Sequence, residues 1–340
     1  MRLARQGPVH SRPLERVDAP IPEPGPGELR VRVRACAICR TDLHIVEGDL
    51  PPRRLPLVPG HQVVGVVDAV GPGCNRFRTA DRVGIAWLRQ TCGDCVFCRS
   101  GRENLCQASR YTGYHEDGGY AEHAVVSEAF AYPIPSAFSD VDAAPLLCAG
   151  IIGYRALRRS QAPPGGTLGL YGFGSSAHVV LQIARRRGCR VFVVTRGGGH
   201  RALARRLGAE WVGDTADPVP AALDSAIVFA PAGEIVPAAL RAVRHGGTVA
   251  LAGIHMTPIP PMDYDACLFH EKTLTSVEAN TRADGMELLA EAAEIPIRPE
   301  VTTFPLEAAN EALIRLQEDR IDGTGVLLVD ASAPPAGIWR

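Results

Sequence analysis

The chain has 340 residues, and at about 150 residues per domain it has room for roughly two domains. Apolar residues make up 46% and charged residues 21%, and the mean hydropathy is +0.02, which excludes an intrinsically disordered polymer and a coiled coil. With 36 basic and 37 acidic residues the net charge is −1. This argues against nucleic acid or an anionic membrane surface as a partner.

The cysteines are expected to be thiols or metal ligands. Residues 1–13 contain no apolar segment of the length that a signal peptide needs, and no stretch reaches the roughly 18 apolar residues of a membrane-spanning helix. We therefore expect a cytoplasmic protein. A reducing compartment disfavours structural disulfides, so the spacing of the ten cysteines must show which are metal ligands and which are free thiols.

The first part of the chain, residues 29–126, reads as short strands separated by turns rich in glycine and proline. Alternating apolar and charged residues at 29–34 and the apolar run 63–67 are typical of strands. Glycine and proline at 24–27 and 71–73 predict turns. These patterns predict an antiparallel, β-rich domain.

From residue 167 onward, strand and helix patterns alternate. The predicted strands are the apolar runs 167–172, 190–195, 226–229 and 248–254, and helical spacing lies between them at 175–187, 200–207 and 236–244. Such alternation predicts an α/β fold with a doubly wound parallel sheet, the Rossmann nucleotide domain. After a helical stretch at 284–293 the pattern becomes mixed again and ends at 325–330, which indicates a return to the first domain in that last part. We predict one domain from 1–150 and 296–340, and a second from 151–295.

Four cysteines lie within fifteen residues in the pattern C-x2-C-x2-C-x7-C: Cys92, Cys95, Cys98 and Cys106. Four thiolates in one loop can surround Zn²⁺ as a tetrahedron that leaves no open position, which predicts a structural zinc site. Two disulfides or scattered thiols are the alternative, and the expected compartment disfavours disulfides. A redox pair is disfavoured because neither C-x-x-C opens a helix after a strand.

Three further candidate ligands, Cys39, His61 and Cys148, lie far apart in the sequence. Their spacing alone does not join them, because a single buried cysteine or histidine more often belongs to the core. Cys36 also forms a competing C-x-x-C pair with Cys39. From the residues alone, this set stays open.

Taken together, these motifs resemble a known family. Cys-Arg-Thr-Asp-Leu-His at 39–44, Gly-His at 60–61, the four-cysteine loop, Cys148 and a glycine turn at 172–177 are similar to the zinc-dependent alcohol dehydrogenases of the medium-chain dehydrogenase/reductase superfamily. The resemblance implies a GroES-like β-rich catalytic domain beside the Rossmann domain. It also implies two zinc ions per chain, a catalytic one on Cys39, His61 and Cys148 and a structural one on the four-cysteine loop.

The resemblance further assigns roles to the residues after Cys39. Asp42 would orient the ring of His61 through its second nitrogen. Thr41 and His44 would form a proton relay through the cofactor ribose. Arg40 would contact the cofactor pyrophosphate.

Three positions bear on the substrate and on zinc chemistry. Relatives usually carry glutamate after the ligand histidine, and this chain has Gln62, which keeps the shape but loses the anion. Trp87 resembles a pocket-lining aromatic residue, although core packing explains it equally well. Polyol dehydrogenases of the superfamily commonly have glutamate where this chain has Cys148, which argues against that branch.

The segment 172–177 reads Gly-Phe-Gly-Ser-Ser-Ala, the pattern G-x-G-x-x-A. It lies between a predicted strand and an amphipathic helix, where backbone at a helix N-terminus can approach a pyrophosphate. Gly172, Gly174 and Ser175 are therefore predicted to bind the cofactor. An ordinary tight turn is the alternative.

The second predicted strand of this domain ends in Thr195, Arg196 and Gly197. About 20 residues after the glycine turn, enzymes that use NAD place an acidic residue on the ribose, and no carboxylate stands here. Arg196, with Thr195 and with His200 or Arg201, is suited to a 2′-phosphate instead. We expect NADP(H) to be preferred, with NAD(H) as the alternative.

The combined expectation is a zinc-dependent alcohol dehydrogenase/aldehyde reductase that transfers hydride between a small or medium apolar primary alcohol or aldehyde and NAD(P)(H). A zinc hydrolase or lyase is an alternative, because the same ligands can activate water. A non-catalytic reductase-like zinc scaffold is another. The resemblance also implies a homodimer or homotetramer built on the sheet edge at 248–277.

Overall fold

The computed structural model describes residues 1–295 and 297–329, which form two compact units. The first contains Met1–Cys148, Ala279–Ala293 and residues 301–329, and the second contains Ala149–Glu278 with residues 294, 295 and 297–300. These units assign Ala279–Ala293 to the first body, whereas the predicted boundaries at 150 and 296 assign it to the second. The predicted boundaries stay a prediction, and their residues 330–340 lie outside the described part.

The first unit begins with short strands, as its turn-rich sequence predicts. Up to residue 148 its strands are β1 (Arg2–Leu3), β2 (Leu14–Glu15), β3 (Glu28–Ala37), β4 (Gln62–Val70), β5 (Arg82–Ile85), β6 (Leu88–Gln90), β7 (Arg110–Tyr111), β8 (His123–Ser127) and β9 (Ala131–Pro133). Its helices in the same part are α1 (Arg40–Glu47), α2 (Val96–Arg99) and α3 (Asp140–Ala143).

Strand β3 is the central strand of this unit. Leu29, Val31 and Val33 are buried while the residues between them are more exposed, so the alternation in the sequence places every second side chain in the core. β3 pairs antiparallel with both β4 and β8. Helix α1 begins three residues after β3 ends, and β4 begins directly after His61. The sheet therefore fixes where Cys39 and His61 lie.

The second unit alternates strands and helices. In chain order it contains α4 (Ala149–Arg159), β10 (Thr167–Tyr171), α5 (Ser175–Arg186), β11 (Arg190–Val194), α6 (Gly198–Arg206), β12 (Trp211–Gly213), β13 (Leu223–Val228), α7 (Val236–Ala242), β14 (Val243–Leu251) and β15 (Thr273–Ser276). The sheet order is β12-β11-β10-β13-β14-β15, and every pairing is parallel. Counted from β10, this is the Rossmann order 3-2-1-4-5-6. The predicted doubly wound sheet is confirmed.

The chain then returns to the first unit at Ala279, earlier than the predicted boundary at 296. The last elements are α8 (Arg282–Glu294), β16 (Val301–Pro305), α9 (Ala309–Gln317) and β17 (Thr324–Leu328). β17 pairs antiparallel with the end of β3 and parallel with β16. Among residues 1–295 and 297–329, no helix is long and apolar enough to cross a membrane.

Candidate zinc and nucleotide sites

The N-terminus of α1 fixes the orientation of two of the predicted site residues. Cys39 is the N-cap, and its Sγ accepts a hydrogen bond from the backbone N–H of Thr41 at 3.3 Å. In return, Oδ2 of Asp42 accepts from the backbone N–H of Cys39 at 2.9 Å. This reciprocal pattern is a capping box with a thiol in the usual hydroxyl position. The local sequence therefore orients the sulfur of Cys39 and the carboxylate of Asp42 together.

The three dispersed candidates converge in the first unit. The ligand atoms of Cys39, His61 and Cys148 all lie within 4.8 Å of one another. Sγ of Cys39 is 3.3 Å from Nε2 of His61. A zinc ion with ordinary Zn–S and Zn–N bonds in tetrahedral geometry would hold these two atoms about 3.6 Å apart. Two sulfurs and one imidazole nitrogen thus fit a metal that keeps one open position.

His61 is held so that Nε2 faces the two sulfurs. Its Nδ1 lies 2.9 Å from Oδ1 of Asp42, and both side chains are almost fully buried. The residue before it, Gly60, has φ of +96°, and a Cβ there would lie 2.3 Å from the ring of Tyr120. Glycine is therefore required at the turn that directly precedes His61. The predicted partnership of Asp42 with the ring nitrogen distal to the cluster is present in the geometry.

The protonation equilibria of this cluster are strongly perturbed. The hydrogen bond with Cys148 is the largest cause that holds the pKa of Cys39 well below its ordinary value, and the same bond is the largest cause that raises the pKa of Cys148 well above it. Burial lowers the pKa of His61, but the charges of Asp42 and Cys39 outweigh burial and raise it to about 10. The cluster thus concentrates negative charge around donor atoms for which protons and a divalent cation compete.

The predicted relay residues lie along α1. Thr41 is buried beside Cys39, and His44 follows three positions later, which places both on one face of the helix. Nδ1 of His44 is 2.7 Å from Oδ2 of Asp49, whose side chain is 57% exposed. The helix thus runs from the metal-ligand cluster toward solvent. Arg40, predicted to contact the pyrophosphate, is half exposed and pairs with Asp319 at 3.7 Å.

Trp87 lies in an aromatic cluster that contacts His61. Its ring is stacked on Tyr111 at 4.8 Å and on Tyr114 at 5.9 Å between centroids, and its edge contact with His61 measures 4.9 Å. Trp87 is 9% exposed. The structure therefore places it as a packing partner of the ligand histidine.

The four-cysteine loop has the geometry of a tetrahedral metal site. Its Sγ atoms are 3.5 Å apart for Cys92 and Cys106, 3.6 Å for Cys95 and Cys98, and 3.8 Å for Cys92 and Cys98. Zinc with four Zn–S bonds requires about 3.8 Å. The structure pairs none of the ten cysteines in a disulfide, and these Sγ–Sγ distances fit a shared metal ion better than the roughly 2.05 Å of an S–S bond.

The same loop has little apolar support of its own. Helix α2 lies within it and buries none of its residues. A metal would therefore replace the hydrophobic core that the loop lacks. One buried carboxylate, Glu103, joins the loop to α8, because its Oε1 accepts from the backbone N–H of Arg282 at 3.0 Å and from Nε of Arg282 at 3.2 Å. The sequence analysis missed this link, which no spacing rule reveals.

The glycine turn of the second unit opens directly into a helix N-terminus. β10 ends at Tyr171, Gly172 has φ of +88°, and a Cβ on Gly172 would lie 2.8 Å from the backbone nitrogen of Ala230. A Cβ on Gly174 would meet nothing within 4 Å. α5 then begins at Ser175. The turn thus leaves open space beside the first N–H groups of the helix, as a bound pyrophosphate requires.

The residues predicted to hold a 2′-phosphate follow β11. Thr195 is buried and Arg196 is exposed. Arg201 donates from Nε to the carbonyl of Thr195 at 3.0 Å and pairs with Asp214 at 2.8 Å. Hydrogen bonds from Thr215, with Arg201 and Arg196 nearby, lower the pKa of Asp214. Arg201 is therefore already held, whereas Arg196 projects from the strand end.

His178, in the first turns of α5, is a further residue that was not predicted from the sequence. This histidine is fully buried and contacts Gly174, the second glycine of the turn. Its signal in the sequence is a polar side chain within a helix whose other inward residues are apolar, at 177, 180, 181 and 184.

Comparison with known proteins identifies the family of both parts of the chain. Residues 25–136 match the family described as the alcohol dehydrogenase GroES-like domain, and residues 177–294 match the zinc-binding dehydrogenase family. A probable alcohol dehydrogenase of Mycobacterium tuberculosis is 51% identical over 333 residues, which cover 96% of each chain. An alcohol dehydrogenase of Geobacillus stearothermophilus is 37% identical and covers 94% of this chain and 97% of its own.

Solved structures give the same assignment. A cinnamyl alcohol dehydrogenase from Sorghum bicolor superposes with a TM-score of 0.88 at 29% identity and covers 98% of both chains. The first unit is thus GroES-like, and the second is Rossmann-like. The chain belongs to the zinc-binding alcohol dehydrogenases of the medium-chain dehydrogenase/reductase superfamily.

Proposed function

We propose that this alcohol dehydrogenase prefers NADP(H) and interconverts small or medium apolar primary alcohols and aldehydes, with Cys39, His61 and Cys148 as the ligands of its catalytic zinc. The convergence of these three ligand atoms within 4.8 Å carries the proposal. Zinc on two thiolates and one imidazole supplies a Lewis acid for the substrate oxygen. NADP(H) supplies or accepts the hydride.

The residues around the ligands have separate tasks in this proposal. Asp42 holds the proton of His61 on Nδ1, so that Nε2 keeps its lone pair for the metal. Thr41, whose backbone N–H donates to the sulfur of Cys39, would accept the substrate hydroxyl proton during alcohol oxidation and release its own hydroxyl proton toward His44 by way of the cofactor ribose. His44, paired with Asp49, passes that proton to solvent, because an imidazole near neutral pH both accepts and releases protons.

The nucleotide site is proposed to use the glycine turn and the end of β11. Gly172, Gly174 and Ser175 contact the pyrophosphate, and Arg40 adds a positive charge. Arg196 contacts the 2′-phosphate first, because it is exposed at the strand end and no acidic residue follows β11 there. Thr195 and Arg201 shape the same pocket, and Arg201 is held in place by Asp214.

Two further features belong to the proposal. Cys92, Cys95, Cys98 and Cys106 hold a second, structural zinc, so each chain carries two. Ten free thiols favour a reducing, cytoplasmic location, and the active form is a homodimer or homotetramer.

Two measurements test the proposal directly. Metal analysis of the purified protein should give about two zinc per chain, and aldehyde reduction should cease when the ion is chelated. In steady-state kinetics with each cofactor, kcat/KM should be higher with NADPH than with NADH. A wild-type enzyme that favours NADH would overturn the assignment of Arg196.

A charge variant locates the cofactor specificity. Replacing Arg196→Ala should lower kcat/KM with NADPH by about tenfold and leave NADH unchanged, because one charge-assisted contact to the phosphate is lost. Arg205→Ala is the matched control, since Arg205 is also exposed but lies on α6 away from the strand end. Equal losses in both variants would contradict a specific role for Arg196.

A further inference from the structure

His178 occupies an unusual position on α5. It lies four residues after Gly174, so its side chain is one helical turn along from the turn that faces the cofactor. The residue is fully buried, and no other titratable group on α5 shares its burial. Neither zinc site nor the glycine motif uses it.

Both ring nitrogens of His178 have backbone partners. Nδ1 lies 3.3 Å from the carbonyl oxygen of Gly174, and the backbone N–H of Glu300 donates to Nε2 at 3.3 Å. Since a carbonyl only accepts and an N–H only donates, the proton of the neutral ring must be on Nδ1. Burial lowers the pKa of His178 to about 4. At neutral pH the ring is therefore a fixed donor toward Gly174 and a fixed acceptor toward Glu300.

The partner segment is also held by a second side chain of the same helix. Gln182 accepts from the backbone N–H of Arg298 at 3.1 Å and donates to the Arg298 carbonyl at 3.3 Å. It donates to the carbonyl of His178 as well, at 3.1 Å. Gln182 thus holds residue 298 without contacting the glycine turn. His178, in contrast, bridges the turn and this segment.

We propose that His178 is a positioning residue of the nucleotide site, which fixes the carbonyl of Gly174 and couples the pyrophosphate turn to the backbone at Glu300. This inference rests on the proposed nucleotide site. The backbone N–H of His178 already donates to the Gly174 carbonyl at 3.2 Å, and the ring adds a second hydrogen bond to the same oxygen. Glycine has wide conformational freedom, so a turn held by one bond instead of two would lose more entropy when a ligand orders it. The imidazole removes part of that freedom before the cofactor binds.

The coupling works in both directions. A ligand that favours the fixed turn also favours the His178 to Glu300 hydrogen bond, because one ring makes both contacts. Cofactor binding should therefore increase protection of the Glu300 amide against hydrogen exchange. Because the ring is fully buried and acts in this proposal through the backbone alone, kcat should change little.

The first test compares two leucine variants. For His178→Leu, the dissociation constants of NADPH and NADH, measured by fluorescence titration, should each rise about fivefold, with kcat within about twofold of wild type. For Gln182→Leu, which loosens residue 298 but leaves Gly174 supported, the cofactor dissociation constants should stay within about twofold. Equal weakening in both variants would mean that packing of the segment, and not support of the turn, sets cofactor affinity.

Polar variants separate the two hydrogen bonds and guard against misfolding of the leucine variant. Asparagine can place an amide N–H where Nδ1 lies, and glutamine can place an acceptor near Nε2. His178→Asn should therefore restore most of the cofactor affinity. His178→Gln should restore protection of the Glu300 amide, measured by hydrogen exchange, without restoring affinity. Wild-type cofactor affinity of His178→Leu would overturn the proposal. Wild-type cofactor affinity of His178→Gln without protection of the Glu300 amide would overturn it as well.

A third variant separates this inference from the nucleotide site on which it rests. Gly174→Leu fills the open space at the turn and should abolish cofactor binding. If Gly174→Leu binds cofactor like wild type, the nucleotide site itself is wrong. If Gly174→Leu fails to bind and His178→Leu binds normally, the site is correct and the role of His178 is refuted.

Discussion

Two histidines of this protein are equally buried and have opposite acid–base behaviour. His61 in the first unit has a pKa raised to about 10, and His178 in the second has a pKa lowered to about 4. Burial lowers the pKa of both, because it penalises the charged ring. His61 differs in having the carboxylate of Asp42 and the sulfur of Cys39 as partners, whereas the ring nitrogens of His178 lie against two backbone groups.

This difference distinguishes a ligand site from a positioning site. Around His61, anionic groups surround potential metal-ligand atoms that face one another. Binding of a divalent cation would stabilise such an arrangement. Around His178, a neutral ring satisfies one acceptor and one donor, and a positive charge there would break the bond to Glu300. Burial alone is therefore a poor guide to function, and the charge of the neighbours decides.

The largest expected effect is a loss of activity when His61 is replaced, with kcat retained when His178 is replaced. His61→Leu should lower kcat/KM for alcohol oxidation at least about a thousandfold, because one of the three proposed ligands of the catalytic zinc is lost. Metal analysis should then find one zinc per chain, retained by the four-cysteine loop. His178→Leu is the matched control and should keep both ions and kcat. Substantial activity in His61→Leu would show that the converged cluster is not the catalytic metal site.

The second effect concerns the pH dependence of stability. Above pH 6.5 His178 is neutral in both the folded and the unfolded state. Between pH 6.5 and 4 it is protonated only in the unfolded state, and below pH 4 it is protonated in both. The free energy of unfolding should thus fall as pH falls from 6.5, by about 1.4 kcal/mol per pH unit and about 3 kcal/mol in total. The charge of Glu300 raises the pKa of His178 and that of His200 lowers it, but burial is the largest cause of the lowered pKa.

Urea unfolding of wild type and His178→Leu at a series of pH values isolates this contribution. The leucine variant should lack the acid-dependent loss, so that the stability advantage of wild type shrinks as the pH falls below 6.5. Parallel curves for the two proteins would mean that His178 titrates normally in the folded state. Stability lost on raising the pH would contradict the sign of the lowered pKa.

The sequence predicted the features that depend on neighbouring residues. The strand, glycine turn and helix at 167–187 are observed as β10 and α5. The four cysteines could be grouped from their spacing, because one short loop contains them all. The identity of their ion and the number of ions per chain stay predictions.

The features that depend on distant residues needed either a resemblance or the structure. Cys39 and His61 come together because the end of β3 pairs with the start of β4, and Cys148 follows a segment, residues 144–147, that packs on both strands. The family pattern therefore had to join the three residues. The contact that determines the behaviour of His178 is 122 residues away in sequence. No local pattern encodes it, and the histidine appeared only as a polar interruption of an apolar helix face.

The smallest expected effect is that of Asp42→Asn, which tests whether the charge beside His61, rather than the shape of the side chain, determines zinc affinity. Asp42→Asn keeps the size of the side chain and removes the negative charge that faces Nδ1. We expect zinc affinity and kcat/KM to fall by about 10- to 100-fold, because partners of ligand histidines typically contribute that much. Competition with a chelator and steady-state kinetics measure the two quantities. Asp68→Asn is the control, since Asp68 pairs with another histidine, His123, outside the cluster. If Asp42→Asn retains zinc like this control, the charge beside His61 does not determine metal binding, and the contrast with His178 rests on the sulfurs alone.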